Sequence, residues 1–207
     1  MIAARSSSPS TCSETAMPRK PDPTLKPAIL TKVAEHLQET KLEDVSVRSL
    51  GRVLGTSAYP IVYHFGSREA LIDSVVEHLT TPLEASTLDP DGDDRALADH
   101  LVRVFGGLDD PRRALAARLT FELGCVESLD GHDRERTFQQ RQVALLAAWC
   151  RAHGYCASDA RRAARAGVLA ARGVQWGAIV EPERTAVDPA LRRIADRLAA
   201  GVQVALV

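Results

Sequence analysis

Apolar residues recur at helical spacing along almost the whole chain, and no period-two alternation competes with them. Residues 27–40 place Ile29, Leu30, Val33, Ala34 and Leu37 on one face. Pro27 falls in the first turn, where its missing N–H leaves no bond unmade. Val47, Leu50 and Leu54 form the next apolar face, with Ser46 placed to cap it and Gly55 placed to stop it. Thr56 and Ser57 offer a second cap for a short helix over 57–65. Ser67 caps a fourth helix over 68–80, whose inward positions are Leu71, Val75 or Val76, and Leu79.

A polar connector over 82–94 then leads to five longer patterns. Leu97, Leu101, Val104 and Phe105 predict a helix over 93–108. Leu115, Leu119, Phe121 and Val126 predict one over 110–128, opened by an Asp cap and a proline. Phe138, Leu145, Leu146 and Trp149 mark 134–153, and Val168, Ala171 and Val174 mark 158–180. Leu191, Ile194, Leu198 and Val202 mark 189–204. The predicted class is all-α.

Two short helices joined by a glycine turn, the second ending in aromatics, make a helix-turn-helix. Such a pair cannot bury its own apolar face, and the helices over 27–40 and 68–80 supply the neighbours it needs. The stretch VSVRSLGRVLGTS, followed by YHFGSREALI, resembles the N-terminal DNA-binding domain of TetR-family transcriptional regulators over about residues 28–79.

The resemblance implies an N-terminal three-helix DNA-binding head over 27–80 and a larger helical effector-binding and dimerisation domain over 81–207. Residues 1–26 are rich in Ser, Pro and Thr and read as a disordered tail. By resemblance, Ser46, Arg48 and Arg68 meet DNA phosphate or a groove edge, and guanidinium suits phosphate because its planar donor fork matches the oxygens. Ser57, Tyr59, Tyr63 and His64 complete the expected DNA-facing set. Two departures stand out. Lys41 occupies a position where the family usually has Gly, so a left-handed Lys41 or a different helix end is expected. Val62 replaces the family's usual phosphate-bonding Tyr.

The reading helix carries no Lys or Arg, so base readout would fall to Tyr59, hydroxyls and apolar contact with thymine methyls. Pro60 disfavours an α conformation at Tyr59, so either the helix starts at Ser57 with local adjustment or it starts later, with Pro60 at its first position. Acids balance bases over residues 24–80, and the whole chain of 207 residues has a net charge of −1. DNA affinity must therefore come from local placement and not from a bulk basic field.

Hydrophobic residues at 45% and charged residues at 26% describe a globular chain able to form a core. No stretch is long and apolar enough to span a membrane, and no apolar core of secretory type follows the N-terminus. Cys12, Cys125, Cys150 and Cys156 are too sparse for a disulfide framework, so a cytoplasmic protein with free thiols is expected. Cys150, His153 and Cys156 lack a convincing fourth ligand, which leaves no metal and no cofactor expected. No phosphate loop, nucleophile elbow or HExxH motif points to an enzyme.

In the C-terminal half, pocket candidates are Phe105, Phe121, Trp149 and Trp176, with His100, Glu122 and Gln142 as polar anchors. Glycines inside a helix call for a close approach, since each is unfavourable by about 1 kcal/mol relative to Ala. Gly167, Ala171, Val174 and Ala178 therefore predict a dimer seam with Leu191, Ile194, Leu198 and Val202, two helices per chain forming a four-helix bundle around a two-fold axis. The competing expectation is that both helices complete the monomer core. The sequence points to a DNA-binding, small-molecule-responsive repressor acting as a homodimer. The alternative is a helical protein-interaction module whose helix-turn-helix no longer binds DNA.

Overall fold

A computed structural model describes residues 24–204, apart from Ala58, Ser128 and Asp130, so the expected N-terminal tail lies almost wholly outside the described residues. Among these residues there are nine α-helices and no strand. They are α1 Leu25–Leu37, α2 Val47–Val53, α3 Tyr59–Phe65, α4 Arg68–Glu84, α5 Asp94–Phe105, α6 Pro111–Gly124, α7 Arg134–Ala152, α8 Ala157–Val180 and α9 Val187–Val204. Single 3-10 turns occupy Leu42–Asp44 and Pro182–Arg184.

The helix ends follow the local chemistry. Ser46 accepts from the Ser49 amide at 3.0 Å, while the Ser46 amide donates to Ser49 Oγ at 2.9 Å, a reciprocal cap on α2. Ser67, Asp93 and Asp110 cap α4, α5 and α6 through their side chains. Gly55 and Gly66 stand at φ of 66° and 81°, left-handed conformations that let the chain turn sharply on either side of α3. Lys41, by contrast, is extended at φ −67°, ψ 145°, because the 3-10 turn that follows it changes the chain direction without any left-handed residue.

Two of the boundaries that differ from expectation lie at prolines. The third helix begins at Tyr59, not at Ser57, with Pro60 in its first turn; Ser57 Oγ accepts from the Tyr59 amide at 3.4 Å. Helix α4 runs on to Glu84 through Pro82, where a connector was expected. Pro82 lies in the last turn, so only one ladder bond is lost.

Apolar side chains gather in two clusters. One joins α1 to α4 around Val33, Leu37, Leu50, Ile61, Leu71 and Val75, and it also takes in Leu115 and Leu119 of α6. The other fills the space between α5, α7, α8 and α9 around Leu101, Phe105, Leu146, Trp149, Val168 and Leu191. Trp149 Nε1 donates to Gly92 O at 2.7 Å, which fixes the connector before α5 against α7.

Within the second cluster His100 is fully buried, its Nε2 at 3.0 Å from Gln142 Oε1. Burial holds this imidazole below its ordinary value of 6.5, with the Gln142 bond opposing in part. Below pH 6.5 the unfolded chain takes up a proton that the folded chain refuses, so stability contributed by the neutral imidazole is complete above that pH and is lost as the pH falls. Urea titrations at a series of pH values should show a smaller acid-side loss of stability in His100→Gln than in the parent; equal losses would rule His100 out as the cause.

Candidate nucleic-acid interface and internal cavity

Helix α3 is anchored by one residue and open on the other side. Ile61 is completely buried beneath α3, while Tyr59, Val62 and Tyr63 are 69%, 51% and 58% exposed. These three stand at i, i+3 and i+4, which gathers them on one face. The rings of Tyr59 and Tyr63 stack with centroids 5.8 Å apart, and His64 meets Tyr63 edge-on at 5.0 Å. The outward surface of α3 is therefore an aromatic strip with phenol hydroxyls and no guanidinium or ammonium group.

Cations come from beside that strip. Arg48 and Arg52 of α2 are exposed, and among the described residues neither side chain has a hydrogen-bond or ion-pair partner. Both guanidiniums are free to meet an anion. The hydroxyl of Ser46 is committed to its cap, leaving a lone pair and little freedom.

Arg68 goes elsewhere. Its Nε donates to Val45 O at 2.5 Å, and a terminal nitrogen donates to Leu42 O. The guanidinium closes the turn between α1 and α2, giving Val45 O a partner and Leu42 O a second one beside the Val45 amide. Arg68 thus positions α2, whereas an outward phosphate contact was expected of it. A further arginine acts in the same way from α6. Arg118 donates to Leu37 O at 2.5 Å and Thr40 O at 3.2 Å, capping the end of α1.

In the C-terminal half the structure redistributes the pocket candidates. Phe105 and Trp149 are fully buried core residues, and Gln142 is consumed by His100. Phe121 meets Trp176 edge-on at 5.3 Å at the protein surface, and Glu122 pairs with Arg118 at 3.3 Å on α6. None of these six lines the internal cavity. That cavity, about 40 Å³, lies instead between α4, α5, α6, α7 and α8. Val76, Leu83, Val104, Ala116, Leu123 and Phe138 supply apolar walls, and Thr80, Arg113, Glu127, Arg134, Glu135 and Arg172 supply polar ones.

An ion-pair network braces one side of it. Arg172 donates from one terminal nitrogen to both Glu135 oxygens, at 2.7 and 2.8 Å, and from the other to Gln175 Oε1 at 2.7 Å. Its guanidinium lies 4.8 Å from the Phe138 ring and 5.4 Å from that of Phe105. Burial pulls the Arg172 guanidinium below its ordinary value and Glu135 opposes that, so the side chain remains a cation. Glu127 is buried, and it accepts from the Glu135 amide at 2.8 Å and pairs with Arg134 at 3.5 Å. The sequence signal for this site was a charge, Arg172, one position beyond the buried Ala171 and four beyond Val168, within the apolar phase of its helix.

The expected dimer seam is mostly interior. Gly167, Ala171, Leu191 and Leu198 are buried within the chain. A Cβ on Gly167 would stand 3.1 Å from Leu198 Cδ1 and 3.5 Å from Leu146 Cδ2, so the close approach that calls for glycine is made by α9 of the same chain. Val174 and Ile194 pack against the same cluster. Ala178 is half-buried, and the Val202 side chain lies outside the described residues. The exposed stripe of α8 is a different one, formed by Leu169, Trp176 and Val180, with Gly173 facing open space between them.

Cys150 is buried in the core, its thiol pushed up to about 11 by burial. His153 Nδ1 lies 2.9 Å from Trp149 O, and the Cys156 thiol lies 3.1 Å from Ser158 Oγ at the surface. The three side chains do not share a centre.

An all-helical chain with an N-terminal helix-turn-helix head seated on a larger helical body defines a fold, and it is the fold of TetR-type transcriptional regulators. A transcriptional regulator from a Rhodococcus species matches it with a TM-score of 0.69 at 19% identity, over 85% of this chain and 96% of that one. SmeT, the repressor of the Stenotrophomonas maltophilia multidrug efflux pump SmeDEF, matches at 0.67 and 17% identity, over 85% and 89%. A TetR transcription regulator from Haloarcula marismortui matches at 0.65 and 16%, over 86% and 97%. No family model and no curated protein matches the sequence.

Arg68→Met should remove the tie to the Leu42 and Val45 carbonyls and destabilise the protein by about 1–3 kcal/mol, the usual cost when an acceptor such as Val45 O loses its partner. Urea unfolding measures this directly. Unchanged stability would return the guanidinium to the solvent side.

Proposed function

We propose that this protein is a DNA-binding transcriptional regulator of the TetR type, acting as a homodimer whose affinity for its operator responds to a small molecule. The observation that carries the proposal is the open face of α3, with Tyr59, Val62 and Tyr63 exposed above buried Ile61 and two arginines on the adjoining helix that have no partner among the described residues. A helix held this way fits a major groove while α2 lies along the backbone. Stacked phenols and His64 would read base edges through hydroxyl, imidazole and apolar contacts, and Arg48 and Arg52 would hold phosphates.

The reading head comprises residues 27–80, with residues 81–207 forming the effector-binding and dimerisation domain. Repression is favoured by the likeness to SmeT, itself a repressor. The cavity between α4 and α8 is the natural effector site, because α4 contributes Val76, Thr80 and Leu83 to it and also packs Leu71 and Val75 under the head. A ligand that binds better when α4 is displaced would favour conformers in which two heads no longer match successive grooves. A soluble, cytoplasmic protein fits this role, and no described helix is long and apolar enough to cross a membrane. The cation-free α3 favours a second reading, a helical interaction module that has lost DNA binding.

Selection of bound duplexes from a random pool tests the proposal, with enrichment of a two-fold-symmetric site expected. Arg48→Ala should weaken binding to all sequences and lower the salt slope by about one, and Tyr59→Ala should change the selected motif. Failure to enrich any sequence would support the interaction module.

Assembly is expected through α8 and α9, with the Leu169, Trp176 and Val180 stripe buried between copies. Leu169→Glu with Trp176→Glu should give helical monomers by sedimentation equilibrium and circular dichroism. A dimer that survives both charges would place the contact on another face.

A further inference from the structure

The cavity between α4 and α8 has an unequal supply of donors and acceptors. Its acceptors are spent internally. Glu135 takes two bonds from Arg172 and one from Gln139, Glu127 takes the Glu135 amide and Arg134, and Gln175 Oε1 takes Arg172. Three of its donor atoms are not spent. Thr80 Oγ1, Arg113 Nε and Arg172 Nε are all buried, and none has a hydrogen-bond partner among the described residues. All three residues line this one cavity.

The placement of charge points the same way. The guanidiniums of Arg113, Arg134 and Arg172 line the cavity with the carboxylates of Glu127 and Glu135, and Asp73 outside it also pairs with Arg134. Arg134 and Arg172 have carboxylate partners. Arg113 has none among the described residues, since its terminal nitrogen bonds only the Val102 and Arg103 carbonyls at the end of α5. Buried donors without acceptors cost more than paired ones, so an anion with acceptor oxygens gains both the bonds and a guanidinium, that of Arg113, that no carboxylate among the described residues pairs with. A cation would meet three guanidiniums, and a sugar-like polyol would leave its hydroxyls against Val76, Leu83, Val104 and Leu123.

We propose that the cavity binds a small monocarboxylic acid with an apolar body, its carboxylate accepting from Thr80, Arg113 and Arg172. The inference rests on the effector-binding reading above and adds the chemical class of the ligand. The cavity of about 40 Å³ has room for roughly three waters at ~10–15 Å³ each, the size of one carboxylate group. The apolar body must then push apart the aliphatic side chains of α4 and α6, the helices that also support the reading head.

Calorimetric titration of the full chain without DNA tests the class directly. Butanoate, hexanoate, benzoate and phenylacetate are each compared with the corresponding primary amide and amine. The acids should bind, with the amides weaker by roughly tenfold or more, as loss of charge-assisted bonds implies, and the amines should not bind. Thr80→Val, which keeps the shape and removes the hydroxyl, should weaken the acids several-fold and leave the amides less affected. Arg113→Met should weaken them further, and Thr80→Val decides the matter if that variant does not fold. Amides binding as tightly as acids, or no acid binding at all, would overturn the proposal, the latter showing that water alone satisfies the three donors. Because DNA is absent, failure of operator selection leaves this result standing, and failure here leaves operator binding untouched.

Discussion

Helix α6 is the joint on which the rest depends. Its Leu115 and Leu119 belong to the apolar cluster of the head, although they follow the head by more than thirty residues in sequence. Its Arg118 closes the end of α1 by donating to Leu37 and Thr40. Its adjoining face, through Ala116 and Thr120, walls the internal cavity, and Leu123 touches both. A helix that shares one side with the head core and another with the cavity cannot move without being felt by both. Packed interiors respond to such movement by switching between arrangements, since close-packed side chains do not deform continuously.

The head itself is held by polar ties as much as by apolar packing. Helices α2 and α3 have seven residues each, too short to be stable alone. They bury little beyond Leu50, Gly51 and Ile61. Arg68 and Arg118 compensate by bonding carbonyls at the end of α1 and around the 3-10 turn, Val45 and Leu37 among them. Guanidinium suits this task because its donors can reach two carbonyls at once while its stem lies against apolar surface. The arginines thereby withdrawn from solvent leave Arg48 and Arg52 as the exposed arginines of α2, preceding the aromatic strip of α3.

The body solves a different problem, that of keeping charge inside. Arg172 is buried yet has Glu135, Gln175 and two aromatic rings around it, which offsets much of the cost of removing it from water. Glu127 and Arg134 extend the network towards Asp73 of α4. Such a network fixes the spacing of α4, α7 and α8 in a way that apolar packing alone does not, and it leaves a small polar-lined space at the centre.

What the sequence determined by itself is local. Ser46, Ser67, Asp93 and Asp110 cap the helices they precede, Gly55 and Gly66 turn the chain, and the apolar periods place every helix within a few residues of its observed ends. These features depend on neighbours three or four positions away, so one chain read in order contains them. Apart from the start of α3 and the end of α4, the misplaced assignments mostly concern partners far along the chain. Gly167 and Leu198 meet each other within the chain, Trp149 meets Gly92, and Phe105 lies in the core and not in the cavity wall. An apolar stripe looks the same in sequence whether it faces another helix of the chain or another copy of the protein. The destination of a guanidinium depends on carbonyls 23 to 81 residues distant, as Arg68 and Arg118 show. Only the tertiary structure decides these, because it alone brings together groups that the sequence keeps apart.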